Sequence, residues 1–413
     1  MSAAFPVASP ATAITVTPVT PAGSVTLSPS ARPSVPVPPS VPVPPSVPVF
    51  TTEVVRDIDR FGEIGPAWDA LYRRSRTATP FQSHAWLHSW WLSYGTPGRL
   101  RVVLVRRGED LVAAAALTLI YRPVPVLVQL GGSISDFSDV LLDDRCADAA
   151  ATALAKALAR TARTAVLDLR EVRPGAAIER VYACWPGPRR RLADSPCLEL
   201  PAAPMDELLG RLPSSRAQRA RAKLRKLDAL GIDERVVPED EIPAAVERLL
   251  ELHRLQWEGR GVTPEHLSTR FAEHLTRSVR SMAGRGDAMV TEFRLAGAVV
   301  ASDLTLMSPH LAGGYLYGAD PVLRARKVDV ATMLLRSWAQ RISTSGRTTL
   351  SMLRGDEPYK HHWRPDTVRN QRYLLARSYL APSFQLLLAR AAGRGRAAAF
   401  VKRLRLRRGG GKG

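Results

Sequence analysis

Apolar residues first recur at helical spacing at Ile64, Trp68, Leu71 and Tyr72. A second stripe, Leu87, Trp90, Trp91 and Tyr94, predicts a helix that Ser83 can cap and Gly95 can end. The three tryptophans of this helix, Trp86, Trp90 and Trp91, read as core. The period then shortens. Residues 101–106 and 111–120 form strand-like runs around a turn at Gly108-Glu109-Asp110, and a third run, 124–130, stops at Gly131-Gly132. An Ala-rich helix over 146–163 and a short strand over 165–169 follow.

The same order returns later in the chain. Strands at 288–294 and 298–307 flank Ala296-Gly297, a third covers 311–318, a helix covers 329–345, and a strand covers 348–353. Between the two sets lie three helices. Residues 214–230 place Ala220, Leu224 and Leu227 on one face and Arg216, Arg219, Lys223 and Lys226 on another, with Gly231 as a stop. The others are 240–259 and 263–283, the latter with Thr263 as N-cap and Pro264 at its first position. Identity between the halves is low, so the repeat is one of pattern. The expected fold class is α/β (α+β): two tandem units, each a mixed sheet flanked by helices, joined by a helical middle. The expected organisation is an arm at 1–50, a first unit at 51–205, a helical connector and start of the second unit at 206–285, the rest of that unit at 286–382, and a basic tail at 383–413.

The arm is Pro, Val, Ser, Thr and Ala, with S-V-P-V-P-P repeating from Ser34. Proline at this density removes ladder donors and favours an extended, disordered chain. The remainder has ordinary globular composition, 45% hydrophobic and 23% charged over the whole sequence. Cys146, Cys184 and Cys197 form no C-x-x-C pair and read as reduced, mostly buried side chains; neither metal-ligand spacing nor a nucleotide-binding Walker loop is present. No Lys or Arg precedes Arg32, and proline and serine interrupt the apolar residues before it, which argues against a secretory signal. Cytoplasmic residence is the expectation.

The formal net charge is +20, and 51 of the 58 basic residues are Arg. Such a chain attracts nucleic acid, anionic lipid and phosphate-bearing ligands, although the Arg residues are spread along the folded part. From Arg390 onward there are nine Lys or Arg and no acid, with Leu386, Leu387, Phe400, Val401, Leu404 and Leu406 giving this region an apolar side. An anionic membrane surface or RNA, including tRNA, and a merely solvated tail are equal readings. Oligomeric state is open.

Two places carry chemistry. A helix starting near 329 aims free N–H groups at an anion, and Arg324, Arg326 and Lys327 precede it, so these three are candidates for holding a diphosphate. After the last strand of the second set, Leu353 to Trp363 reads L-R-G-D-E-P-Y-K-H-H-W, a strand-end loop crowded with acids, a Tyr, a Lys and two His. Asp303, inside the apolar strand AVVASDLTLM, is costly to bury unless partnered; an edge position facing water is the alternative.

The segment R-G-D-E-P-Y-K-H-H-W resembles the signature of the CelD/BcsL-like acetyltransferases of the Gcn5-related N-acetyltransferase superfamily. Pro80-Phe81-Gln82-Ser83 with Trp86, the run Gly313–Pro321, and the basic helix at 216–226 resemble further parts of the pattern, over about residues 51–380. The resemblance implies tandem acetyltransferase-like domains, acyl transfer from acetyl-CoA or another acyl-CoA to a small-molecule or glycan amine acceptor, and a link to exopolysaccharide or envelope synthesis. It places Asp356 as general base or amine-positioning group, Tyr359 as proton donor to the leaving group or substrate anchor, and Lys360 as partner of a phosphate or carbonyl. Asp303 is a second base candidate, and Arg354 joins the cofactor-binding candidates. The family's glycine-bearing loop before the cofactor helix is replaced here by Arg326-Lys327-Val328-Asp329. Two alternatives stay open: a Fem-like transferase that takes an aminoacyl group from tRNA, and a non-catalytic basic scaffold at a membrane.

Overall fold

The computed structural model describes residues 49–259, 261 and 263–393, within one unit that begins at Pro48. The arm and most of the basic tail lie outside the described residues. Strands β1 (Phe50–Val55), β2 (Leu100–Arg107), β3 (Asp110–Tyr121), β4 (Pro125–Gln129), β5 (Leu141–Leu142) and β6 (Val166–Val172) belong to the first half. The chain continues through β7 (Arg189–Pro201), β8 (Asp233–Val236), β9 (Ala288–Leu295), β10 (Ala298–Met307), β11 (Leu311–Ala319), β12 (Thr349–Arg354) and β13 (Asp366–Leu375). Both predicted hairpins, both third strands and both strand–helix–strand units are present.

The two sets of strands are edge-joined into one sheet of order β1-β2-β3-β4-β6-β13-β7-β12-β11-β10-β9-β8, with β5 on β3. The junction is an exchange. β7, from the first half of the chain, pairs with β12 of the second; β13, from its end, pairs with β6 of the first; and β7 and β13 pair with each other. Neither central strand was predicted, because both are polar and β7 contains Pro196. A polar strand sits at the centre here because its charges are partnered. Arg372 on β13 donates to both oxygens of Asp168 on β6 at 2.6 and 2.7 Å, and Arg173 pairs with Glu199 on β7. Pro196 stands opposite Arg369, next to a register shift, where the loss of one N–H is tolerated.

The halves also pack through helices. The helix His84–Tyr94 lies on the helix Thr269–Ala283: Trp86 is fully buried, edge-on to His274 at 4.4 Å, and Ser89 donates to the His274 carbonyl at 3.0 Å. Burial of the Trp86 ring against His274 and Tyr315 is what holds this seam. The predicted single helix 263–283 is divided. A 3-10 turn, Pro264–Leu267, precedes a helix that starts at Thr269, because Ser268 accepts from Phe271 N and restarts the ladder. Of the cysteines, Cys197 alone is buried; Cys146 is half-buried, and Cys184, at the end of the short helix Ile178–Ala183, is exposed. The start of the basic tail is helical over 381–393, and Phe384 and Leu387 turn inward onto Val126, Val166 and Leu374 of the sheet. Among the described residues, no helix is long and apolar enough to cross a membrane.

Candidate active site

β11 and β12 run parallel but pair only at Leu311–Thr349, Ala312–Leu350 and Gly313–Ser351. Beyond that point they diverge, for local reasons. The register of β11 against β10 shifts so that Tyr315 is an extra, bulged residue between Gly314 and Leu316. Leu353 adopts φ +58° and Gly355 φ +113°, which turns the end of β12 away. Gly313 and Gly314 leave room for Leu353 and for the Trp338 ring: a Cβ on Gly314 would lie 2.1 Å from Trp338.

The divergence opens a cavity of about 550 Å³. Tyr315 and Tyr317 form its strand wall, and Leu334, Leu335 and Trp338 of the helix Val330–Ile342 form a second. Glu357, Tyr359 and Lys360 contribute from the turn after β12, His253 and His266 from the helical middle, and Ser133, Ile134 and Asp136 from the first half. The Tyr315 hydroxyl donates to the Ile134 carbonyl at 2.8 Å, tying that loop to the strand.

The equivalent gap in the first half is filled. β4 and β6 pair only at Val126–Val166 and Leu127–Leu167, but Asp139 is buried nearby, accepting from Val140, Ala177 and Ile178 N at 2.8–2.9 Å. Burial raises its carboxyl to about 7. The space left beside it is about 10 Å³.

The predicted site residues divide into three groups. Tyr359 and Lys360 line the cavity, as does Arg354. Lys360, 8% exposed, donates to the Arg354 carbonyl at 2.9 Å and pairs with Glu357 at 2.8 Å, which leaves one of its three N–H groups. Arg354 is engaged with Asp136 at 2.8 Å and Glu171 at 3.5 Å. Asp356 is exposed on the same turn, and its carboxylate meets His361 Nε2 at 2.6 Å, outside the cavity lining. Asp303 is not at an edge. It is buried on β10, behind the wall, where Oδ2 accepts from Trp338 Nε1 and Thr305 Oγ1, both at 2.8 Å, and Oδ1 has no partner. Burial raises this carboxyl to about 6, against the two hydrogen bonds.

Arg324, Arg326 and Lys327 are exposed beside the start of the helix Val330–Ile342, outside the cavity lining. The helix start itself is occupied. Asp329 accepts from Thr332 N at 2.9 Å, Lys223 pairs with its carboxylate, and Lys226 donates to the Lys327 carbonyl at 3.1 Å. The basic helix Ser214–Leu230 therefore lies against this turn. Sequence reasoning missed His253, His266, Trp338 and Asp136; Trp338 and His253 continue the apolar stripes of their helices, next to Leu334 and Leu249, and so read as core. Among the described residues, no group of His, Cys, Asp and Glu could hold a metal ion.

A mixed sheet that opens between two parallel strands, with a helix start at one end of the gap, is a GNAT-like arrangement of fold. Residues 214–361 match the family described as Acetyltransferase (GNAT) domain, so this stretch, which supplies most of the cavity wall, carries a GNAT-type acetyltransferase domain. The fold is similar to the crystal structure of FemX, with a TM-score of 0.57, 12% identity, and coverage of 78% of this chain and 98% of that one. It is also similar to a conserved protein of unknown function from Bacteroides thetaiotaomicron VPI-5482, with a TM-score of 0.51, 14% identity, and coverage of 79% and 100%. These likenesses are of fold. No curated protein matches the chain.

Proposed function

We propose that the protein moves an acyl group from an activated donor to an amine within the cavity of its second half, as a CelD/BcsL-like N-acyltransferase with a small-molecule or glycan amine acceptor of the cell envelope. The observation that carries this is the parting of β11 and β12 after three paired residues around a space of about 550 Å³. An extended pantetheine-like arm fits such a slot, because the unpaired strand edges offer backbone donors and acceptors while Leu334 and Leu335 supply an apolar side. The donor supplies the activated acyl carbon. Lys360 has one N–H to polarise the acyl oxygen, and Tyr359, 41% exposed at the rim, can protonate a leaving group or hold the acceptor. Ser133 and Asp136 extend the wall from the first half, so the acceptor is held by both halves. Holding two substrates in register supplies much of the acceleration. The chain acts in the cytoplasm on this reading.

The carrier of the acyl group is the branch point. Asp329 puts a carboxylate on the N–H groups that a diphosphate would use, which favours a second reading in which the donor is an aminoacyl-tRNA held by the exposed Arg and Lys of the helix Ser214–Leu230. The test uses the purified full chain with radiolabelled acetyl-CoA and, separately, alanyl-tRNA, each with aminosugars, polyamines and a lysyl peptide. Label transfer from acetyl-CoA supports the first reading, transfer from tRNA alone supports the second, and no transfer from either refutes both.

A further inference from the structure

Two histidines thirteen positions apart meet at the cavity wall. His253 lies near the end of the helix Ile242–Trp257, and His266 in the 3-10 turn Pro264–Leu267. His253 Nδ1 is 2.7 Å from the carbonyl oxygen of Tyr317 on β11. A carbonyl only accepts, so Nδ1 carries the proton and Nε2 of the neutral ring is a lone pair. His266 Nδ1 lies 3.2 Å from His253 Nε2, so it too must carry its proton. The nitrogen that remains, His266 Nε2, is therefore an unprotonated base on a residue that lines the cavity. One backbone carbonyl dictates both tautomers. Phe271 stacks on the His266 ring at 4.8 Å with an interplanar angle of 17°, which fixes its plane.

The surroundings keep the pair neutral. Burial, and then the neighbouring His253, lower His266 to about 4; burial also lowers His253. Glu265, the acid beside His266, opposes this weakly because its charge is already met by Arg270 at 2.6 Å and by donation from Tyr94 and Ser268, both at 2.9 Å.

We propose that His266 is the proton acceptor of the acyl transfer and that His253 is its positioning residue; this rests on the acyltransferase reading of the cavity. The acceptor nitrogen forms a bond to the acyl carbon. The bond from that carbon to the donor's sulfur or oxygen breaks, and its electron pair leaves with that atom. The proton shed by nitrogen goes to His266 Nε2 and passes from there to the leaving group or to water. A weak base suits this proton, because an amine nitrogen becomes far more acidic once it is bonded to the acyl carbon. The charge gained is spread along the two rings towards the Tyr317 carbonyl, whose dipole receives it.

The test combines a structural and a kinetic readout on the full chain. In protein labelled with ¹⁵N-histidine, two-bond nitrogen–proton correlations are expected to show His253 and His266 as Nδ1–H tautomers, with His266 neutral down to about pH 5. With whichever donor the wild type uses, His266→Gln is expected to lower kcat by about 100-fold or more, leave the donor KM within about threefold, and abolish the acid limb of the pH–rate profile. His253→Gln is expected to give a smaller loss and to shift that limb, and added imidazole should restore part of the activity of His266→Gly. An Nε2–H tautomer at His266, or wild-type kcat and pH profile in His266→Gln, overturns the inference and leaves the acyltransferase reading standing. A wild-type chain inert with every donor withdraws both, whatever the tautomers.

Discussion

Arg354 at the end of β12 donates to Asp136 of the first half at 2.8 Å and to the Ser133 carbonyl at 2.9 Å. The pair joins the two halves at the edge of the cavity. The guanidinium is thus a brace for the cavity wall, and its fork geometry is what makes two bonds to two partners at once.

Arg354→Lys is expected to behave as a disruptive change, since a point charge cannot serve both oxygens. A double-mutant cycle with Asp136→Asn should give a coupling of about 1–3 kcal/mol in urea denaturation. Transfer activity should fall in both single variants.

Two glycines separate folding from binding. A Cβ on Gly318 would lie 2.3 Å from the backbone N of His253 and 2.5 Å from the carbonyl carbon of Leu252. Backbone cannot yield, so Gly318→Ala should push the helix Ile242–Trp257 off β11 and cost about 1–3 kcal/mol. On Gly314 the obstacle is the Trp338 ring, a side chain on the cavity wall. Gly314→Ala should therefore weaken donor binding more than it lowers the melting temperature. Thermal melts beside donor titrations distinguish the two.

Asp303 predicts a pH dependence with a definite sign. Its folded carboxyl titrates at about 6 because of burial, above its usual 3.8. Between those values the folded state binds more protons than the unfolded state, so stability falls as pH rises from about 4 to about 6, by on the order of 3 kcal/mol. Asp303→Asn keeps an acceptor for Trp338 and Thr305 and should flatten that slope. Denaturation at pH 4, 5, 6 and 7 for both proteins checks it.

Asp329→Ser tests the helix start. Serine retains the cap on Thr332 N and removes the negative charge. Acetyl-CoA affinity should rise if the diphosphate is received there, because anion and carboxylate compete for the same N–H groups. Calorimetric titration of wild type and variant reads this out, and the rise should be larger at low salt.

The hairpins, the third strands and the strand–helix–strand units were legible because their apolar runs are long and glycine or a cap marks their ends, as Gly297 and Ser83 do. β7 and β13 were not legible, since pairing by Arg372 with Asp168 and by Arg173 with Glu199 allows them to be central while reading as polar loop. The turn holding Tyr359 and Lys360 stood out by its residue types, and only the family resemblance assigned roles to those two side chains. His253 and His266 were not, because what couples them is a carbonyl on a distant strand, and a backbone group leaves no mark in a sequence. Asp303 stood out as a charge within an apolar strand, but whether it faces water or Trp338 depends on which strands flank it.

The ion pair at the exchange is buried, with side-chain exposures of 5% for Arg372 and 11% for Asp168. Asp168→Ala leaves an uncompensated guanidinium and should cost about 3–5 kcal/mol. Equilibrium unfolding measures it directly.

The interlaced junction also sets a timetable for synthesis. β6 is complete at Val172, but the strand that pairs with it begins at Asp366, about 190 residues later. At about 5–20 residues per second, a ribosome needs about 10–40 s to deliver it. Throughout that interval the nascent first half carries a naked hydrogen-bonding flank, open to strand addition by any neighbour, until the final segment emerges and seals it.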